Sequence, residues 1–248
     1  MVQTINTIIK VFKEEGISSL FAKSYLYLKQ LIVLPYYIIK NKNELSVKDS
    51  IDVSFNSATG ILKPAQIQGE ISYVMEKIKD MHPLRVMELG TGKGGNLFLL
   101  CNATASNGKI ISLDLRGGAH GAGYPPWRVP LFKSFVSKDK ELILLLADSH
   151  KIETKEQIGK ILGNEKLDVL FIDGDHSYAG VKRDFELYNS FVRSGGLIIF
   201  HDIAICKTDP TCQVDMFWNE LKSNYEYEEV IEDRSQGWGG LGIMVQHG

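Results

Sequence analysis

Arg85-Val86-Met87-Glu88-Leu89, followed directly by Gly90-Thr91-Gly92-Lys93-Gly94-Gly95, reads as a short buried strand running into a glycine-rich turn. A helix is expected to open at Gly95. Outward from this junction, short β-branched runs alternate with helical stretches, the pattern of a parallel sheet covered by helices. Strands are expected at Arg85–Leu89, Lys109–Asp114, Leu142–Ala147, Leu167–Asp173 and Gly196–His201. Helices are expected at Gly95–Ala105, Lys155–Leu162, Tyr178–Val192 and Val214–Asn224. Two further strands, near Tyr227–Glu232 and Leu241–Gln246, are joined by the tight stretch Gly237-Trp238-Gly239-Gly240. The expected fold is therefore α/β: a doubly wound, Rossmann-like, mostly parallel sheet of seven strands with a terminal antiparallel hairpin. Residues 1–65 read as a helical extension, and 66–248 as the nucleotide-binding-type domain.

The spacing of Gly90, Gly92 and Gly95 satisfies the dinucleotide fingerprint and on its own suggests an NAD(P)-dependent oxidoreductase or epimerase. The neighbouring acids argue otherwise. Glu88 stands two residues before the first glycine, where a carboxylate would repel a pyrophosphate resting on the helix N-terminus. Asp114 closes the second strand, placed to accept both hydroxyls of a ribose, and Asp148 follows the third, within reach of an adenine amine. Three carboxylates at successive strand ends suit a nucleoside ligand with cationic amine and sulfonium groups and no phosphate. S-adenosylmethionine is such a ligand.

Composition excludes other classes. The 248 residues are 44% hydrophobic and 23% charged, ordinary for a globular chain and unlike a disordered or fibrous one. Lys+Arg 28 against Asp+Glu 30 gives a net charge of −2, too balanced for nucleic acid to be the expected partner. Three cysteines (Cys101, Cys206, Cys212) make no disulfide framework, and Met1–Lys10 lacks the apolar core of a signal peptide, so a cytoplasmic location is expected. The apolar run Leu31–Ile39, broken by Pro35, is too short for a transmembrane span. The aromatic, lysine-dotted segment Ser18–Lys42 (Lys23, Lys29, Lys40, Lys42) is read first as a face that packs on protein, making a homodimer plausible. Peripheral contact with a membrane surface is the alternative.

The fourth strand delivers Asp173, with Gly174-Asp175-His176 in the turn, and the fifth delivers His201-Asp202. As sheet neighbours these groups converge, and such a cluster is costly unless paired or metal-bound. Magnesium suits the aspartates; with histidine contributing, manganese, iron or zinc fit as well. A metal that binds an attacking hydroxyl lowers its pKa, and a histidine titrating near 6.5 can take the proton. A metal-free arrangement with His176 or His201 as base is also open, and Asp175 or His176 could instead cap the following helix. Cys206 and Cys212, with no further ligands in sequence, read as free thiols. Between the second strand and the next helix lies RGGAHGAGYPPWRVP (116–130), a glycine- and proline-dense loop. In it Tyr124, Trp127 and Arg128 are candidates for a lid, with Trp127 alternatively a core anchor and Arg128 the partner of an acid, and His120 for the flexible part only.

ELGTGKGGN (Glu88–Asn96) resembles the first motif of class I S-adenosylmethionine-dependent methyltransferases, and GYPPWR (123–128) with IDGDHSYAGVKRDF (172–185) resembles their cephalosporin-hydroxylase-like and sugar O-methyltransferase-like subgroup. The resemblance covers about residues 66–248. It implies S-adenosyl-L-methionine as cofactor, with Glu88, Gly90, Gly92, Lys93, Asn96, Asp114 and Asp148 around it. It also implies transfer of a methyl group to a small hydroxylated acceptor, a sugar or glycosylated natural product. By motif position Asp173, His201 and Asp202 would hold Mg2+ or another divalent cation. His176, three residues after the first aspartate, would be the general base beside Asp173 and His201. An acid or amide is usual where His201 stands, which leaves the metal's identity open. A cofactor-binding module without turnover is a further alternative.

Overall fold

A computed structural model describes residues 45–56, 60–117 and 123–247, with isolated positions before residue 45. The segment 18–42 falls almost wholly outside the described residues, as does His120. The elements are α1 (Val47–Asn56), α2 (Gln68–Asp80), β1 (Arg85–Leu89), α3 (Gly95–Ala103) and β2 (Lys109–Asp114). They continue with a 3-10 turn (Pro126–Arg128), α4 (Val129–Lys133), β3 (Glu141–Leu146), α5 (Ile152–Leu162), β4 (Leu167–Ile172), α6 (Tyr178–Tyr188), β5 (Val192–His201), α7 (Val214–Leu221), β6 (Glu226–Val230) and β7 (Leu241–Val245).

One seven-stranded sheet has the order β3-β2-β1-β4-β5-β7-β6. β3 to β5 pair in parallel through β1, while β7 runs antiparallel to both β5 and β6. The chain reverses its winding between β1 and β4, and ligands of open α/β sheets bind in the crevice that such a switch leaves at the strand C-termini.

Both faces of the sheet are covered, which is why its central strands read as largely apolar runs. The two-residue period sends Val86, Ile110, Val169, Phe171, Leu197 and Ile199 into one core. There they meet Val47 and Ile51 of α1, Ile71, Val74 and Met75 of α2, and Leu97 and Leu100 of α3. Met87, Ile111, Leu170, Ile172, Ile198 and Phe200 face the opposite core, with Ile158 of α5, Val181 and Phe185 of α6, and Phe217 and Trp218 of α7. Trp218 lies over Gly242, where a Cβ would come within 2.7 Å of the indole ring.

Several expected boundaries shift for local reasons. The helix expected over Tyr178–Val192 stops at Tyr188, passes through a 3-10 turn at Asn189–Phe191, and leaves Val192 to open β5. β5 gains its early residues through an irregular register against Leu167 and Val169, where Gly195 takes a φ of +72°. The hairpin connection is no tight turn. It spans 231–240 and is held from below by buried Glu70, whose carboxylate accepts from Glu232 N (3.0 Å), Gln236 Nε2 (2.8 Å) and Gly240 N (2.9 Å). Among the described residues no helix is long and apolar enough to cross a membrane.

Candidate active site

At the switch point the glycine loop and the β4 turn touch. Gly90 has a φ of +94°, and a Cβ there would lie 1.9 Å from the Asp173 carbonyl oxygen. Gly92 and Gly94 also take left-handed φ, of +50° and +82°, so α3 starts from a turn that side chains rarely adopt. Two cavities open here and share Gly90, Asp114, Gly174 and His176. One, of about 400 Å3, is lined also by Leu115, Ala147, Asp148 and His150. The other, of about 580 Å3, is lined also by Lys63, Gln66, Lys93, Asn96, Asp173, His201, Asp202 and Trp238.

The carboxylates expected at the cofactor take different positions. Asp114 is nearly buried and lines both cavities; Oδ2 accepts from Gly92 N (2.8 Å) and Oδ1 from Leu115 N (2.8 Å). Burial pushes its pKa up, opposed by these backbone bonds. Asp148 lines the first cavity and accepts from His150 N at 2.9 Å. Glu88 lines neither cavity. It is 0% exposed, because the two-residue period that puts Val86 under α3 puts Glu88 there too. Its oxygens accept from Ser112 Oγ (2.7 Å) and Asn96 Nδ2 (3.2 Å), and Ser112 meets Thr91 Oγ1 at 2.5 Å. Glu88, expected beside the ligand, is thus buried beneath α3 and meets the second cavity through Asn96, which lines it. Burial pushes the Glu88 carboxyl up to about 8.

A prediction follows from that shift. The folded chain keeps a proton on Glu88 that the unfolded chain sheds above pH 4.5, so stability is full below that pH and falls as pH rises through about 8. Glu88→Gln removes this linkage while keeping a side chain that can bond Ser112 and Asn96. Its melting temperature is expected to match the wild type at pH 4 and to exceed it increasingly up to pH 8. A constant difference across that range contradicts the assignment.

Asp173, His176, His201 and Asp202 form one connected cluster. Asp173 Oδ1 lies 2.9 Å from His201 Nδ1 and 3.8 Å from His176 Nε2. Asp202 Oδ2 lies 2.9 Å from His176 Nδ1 and 3.3 Å from His201 Nδ1. Asp202 takes a φ of +62°, a conformation aspartate tolerates, and its Oδ1 accepts from Gly239 N at 3.1 Å. The hydrogen bond from Asp202, then one with Cys212, raise the His176 pKa to about 11. Burial opposes charge on His201, yet the carboxylates of Asp173 and Asp202 outweigh it and raise its pKa to about 10. The same imidazolium charges hold Asp202 far below the usual carboxylate range against the cost of its burial. The neighbouring carboxylates thus bias both imidazoles toward their protonated forms.

Neighbouring expectations resolve in the same way. Ser177 caps α6, its Oγ accepting from Gly180 N at 3.1 Å, while Asp175 accepts from Ser177 N at 2.9 Å; His176 caps nothing and turns into the cluster. Tyr124, not Trp127, anchors the proline loop, its ring edge-on to Phe132 at 5.0 Å. Trp127 is 45% exposed with the Arg128 guanidinium 5.0 Å from its ring. Arg128 donates to the carbonyls of Lys93 (2.6 Å) and Ile61 (3.3 Å), tying this loop to the glycine loop. Lys93 keeps an exposed side chain at the second cavity. Tyr178 and Lys182, spaced as in short-chain oxidoreductases, line neither cavity and bond Glu220 of α7.

Two participants carried no sequence signal. Gln66, ahead of α2, donates from Nε2 to Asp173 Oδ2 at 3.0 Å, which no motif spacing announces. Cys212, read from the sequence as a free thiol, forms no disulfide but sits within 4.8 Å of ligand atoms of His176 and Asp202.

Residues 87–203 match a family model described as a methyltransferase domain. Two uncharacterized proteins are similar over parts of the chain. One, of Acanthamoeba polyphaga mimivirus, is 56% identical over 44 residues, covering 18% of this chain and 20% of that protein. The other, of Sinorhizobium fredii, is 25% identical over 159 residues, covering 61% of this chain and 17% of that protein. The matched stretches thus span a fifth or less of both relatives. Among solved structures, an O-methyltransferase from Bacillus cereus in complex with S-adenosylhomocysteine superposes with a TM-score of 0.55 at 18% identity, covering 88% of this chain and 99% of that one. The O-methyltransferase TomG from Streptomyces achromogenes, involved in tomaymycin synthesis and bound to S-adenosylmethionine, gives 0.53 at 15% identity, over 82% and 89%. The sheet order, with the glycine loop at its switch point, is the Rossmann-like fold of these methyltransferases, and residues 87–203 within it are similar to a methyltransferase domain.

Proposed function

We propose that the chain transfers the methyl group of S-adenosylmethionine to a hydroxyl of a small acceptor, a sugar or a glycosylated natural product, with a divalent cation assisting. The observation that carries this reading is the Asp173–His176–His201–Asp202 cluster on the wall of the cavity that also borders the glycine loop. Residues 66–248 serve as the cofactor domain and 1–65 as an extension; Lys63 and Pro64 reach the second cavity from the extension side.

The cofactor fits the polar inventory. Asp114 presents a carboxylate where a ribose would lie, and Asp148 sits farther along the same cavity, toward an adenine amine. Gln66 Oε1 and Asn96 Oδ1 are buried acceptors without partners among the described residues, and both side chains line the second cavity, where a ligand's ammonium group would satisfy them. Gly90, Gly92 and Lys93 supply the backbone that passes close to the ligand.

The cation also fits. Asp173, His201 and Asp202 offer ligand atoms within 4.8 Å of one another, and His201 Nε2 is buried with no partner among the described residues. With these residues as ligands, a bound cation would supply polarisation of an acceptor oxygen. The residues themselves orient and move the proton. Methyl transfer is an in-line displacement, so the acceptor oxygen loses its proton as the carbon–oxygen bond forms and the sulfonium leaves as a thioether. Asp202 fixes His176 through Nδ1 and so holds the ring at the cavity, where it accepts that proton once it has released its own; Asp173 and His201 flank the same point.

The test is methyl transfer to a panel of glycosides and phenols, followed by S-adenosylhomocysteine release. Turnover is expected on at least one hydroxylated acceptor, falling about tenfold or more with chelator and recovering with Mg2+ or Mn2+. Absence of transfer across the panel overturns the acceptor class; full activity in chelator overturns the cation. Tyr178→Phe is expected to leave turnover within about twofold of wild type, since surface changes away from the chemistry are mild. A large loss would revive the oxidoreductase reading.

A further inference from the structure

Beyond this reading lies a second group of ligand atoms, in which Cys212 joins His176 and Asp202. We propose that His176, Asp202 and Cys212 form a thiolate-bearing site for a zinc-class divalent cation, distinct in donor set from Asp173, His201 and Asp202. Their ligand atoms lie within 4.8 Å of one another. Tetrahedral zinc, with bonds of about 2.0 Å to nitrogen and 2.3 Å to sulfur, spaces its donors roughly 3.3–3.8 Å apart. Small side-chain adjustments therefore close the three on one ion.

The site is built rather than accidental. Gln213, the residue after Cys212, donates its backbone N to the His176 carbonyl at 2.8 Å, so the cysteine loop is fixed to the histidine it faces. Within that loop Cys212 N donates to Asp209 O at 3.1 Å, and Asp209 Oδ1 accepts from Thr211 N at 2.9 Å, shaping the turn that turns the thiol inward. Cys212 is buried, and Asp202 is held from behind by Gly239 N. Nothing in methyl transfer calls for a thiol here.

A sulfur donor beside an imidazole and a carboxylate disfavours magnesium and calcium and suits zinc, with cobalt as its spectroscopic substitute. Three protein ligands leave one position for water. On binding, the Cys212 thiol and the His176 imidazolium each release a proton to solvent, and the ion's charge replaces them against Asp202. An ion seated here occupies the His176 and Asp202 that turnover needs, so this is an inhibitory site.

The experiment is a Co2+ titration of the metal-free full chain, read by absorbance. A thiolate-to-cobalt charge-transfer band in the near ultraviolet is expected, saturating at one equivalent, displaced by Zn2+ and not by Mg2+. Cys212→Ser is expected to abolish the band, Cys206→Ser to keep it. In the wild-type chain Zn2+ is also expected to shield the Cys212 peptide from iodoacetamide, a readout that needs no substitution. No charge-transfer band, a band that survives Cys212→Ser, or equal alkylation with and without zinc overturns the proposal. None of these measurements depends on the cofactor or acceptor, so failure of the methyl-transfer reading would leave them standing and the reverse holds too.

Discussion

Gly90→Ala is expected to cost about 3 kcal/mol or more of folding stability and to abolish binding of S-adenosylhomocysteine. The new Cβ would lie 1.9 Å from the Asp173 carbonyl oxygen and 3.2 Å from Gly174 N, and neither of these backbone atoms can move without parting β1 from β4. Asp173 N donating to Leu89 O (2.9 Å) pins the end of β4 to β1, and Gly90 N donating to Leu113 O (2.8 Å) pins the glycine loop to β2. The φ of +94° adds strain of its own for any side chain. Urea unfolding and calorimetry check both effects. An alanine variant with wild-type stability and affinity would contradict the packing of the glycine loop described above.

Asp202→Asn is expected to lower methyl transfer by about a hundredfold or more while preserving the fold. Asparagine tolerates the left-handed φ of +62° and keeps an oxygen for Gly239 N. What it loses is the negative charge that raises His176 to about 11. The folded wild type binds a proton at His176 that the unfolded chain releases above pH 6.5. That contribution to stability is therefore full below pH 6.5 and is lost as pH rises through about 11. In the variant the loss sets in at lower pH. An NMR titration of the histidine ring protons reads the shift directly; an unchanged His176 titration in Asp202→Asn would contradict the pairing.

The sheet was legible because its central strands are apolar on both faces and its helices are periodic; the end of the helix after β4 and the hairpin connection misled, the latter since nothing local announces that Glu70 holds 231–240 open. The convergence of Asp173, His176, His201 and Asp202 followed from strand adjacency, as β4 and β5 are neighbours. The burial of Glu88 is visible in the same pattern. A residue two before the first glycine shares a face with Val86, and that face is roofed by α3. Gln66 and Cys212 come to the cluster from elements outside the motif-bearing strands. Their approach is a tertiary fact, fixed by one side-chain bond and one backbone bond that spacing does not encode.

Everything in the methyl-transfer account requires that the cavity beside Gly90, Asp114 and Asp148 take a cationic nucleoside without phosphate. Calorimetric titration of the full chain with S-adenosylhomocysteine, S-adenosylmethionine and NAD in parallel tests this most directly. One-to-one binding of both adenosyl ligands in the micromolar range, with no heat from NAD, is expected; binding of NAD with no response to either adenosyl ligand would rule out a methyl-transfer site there.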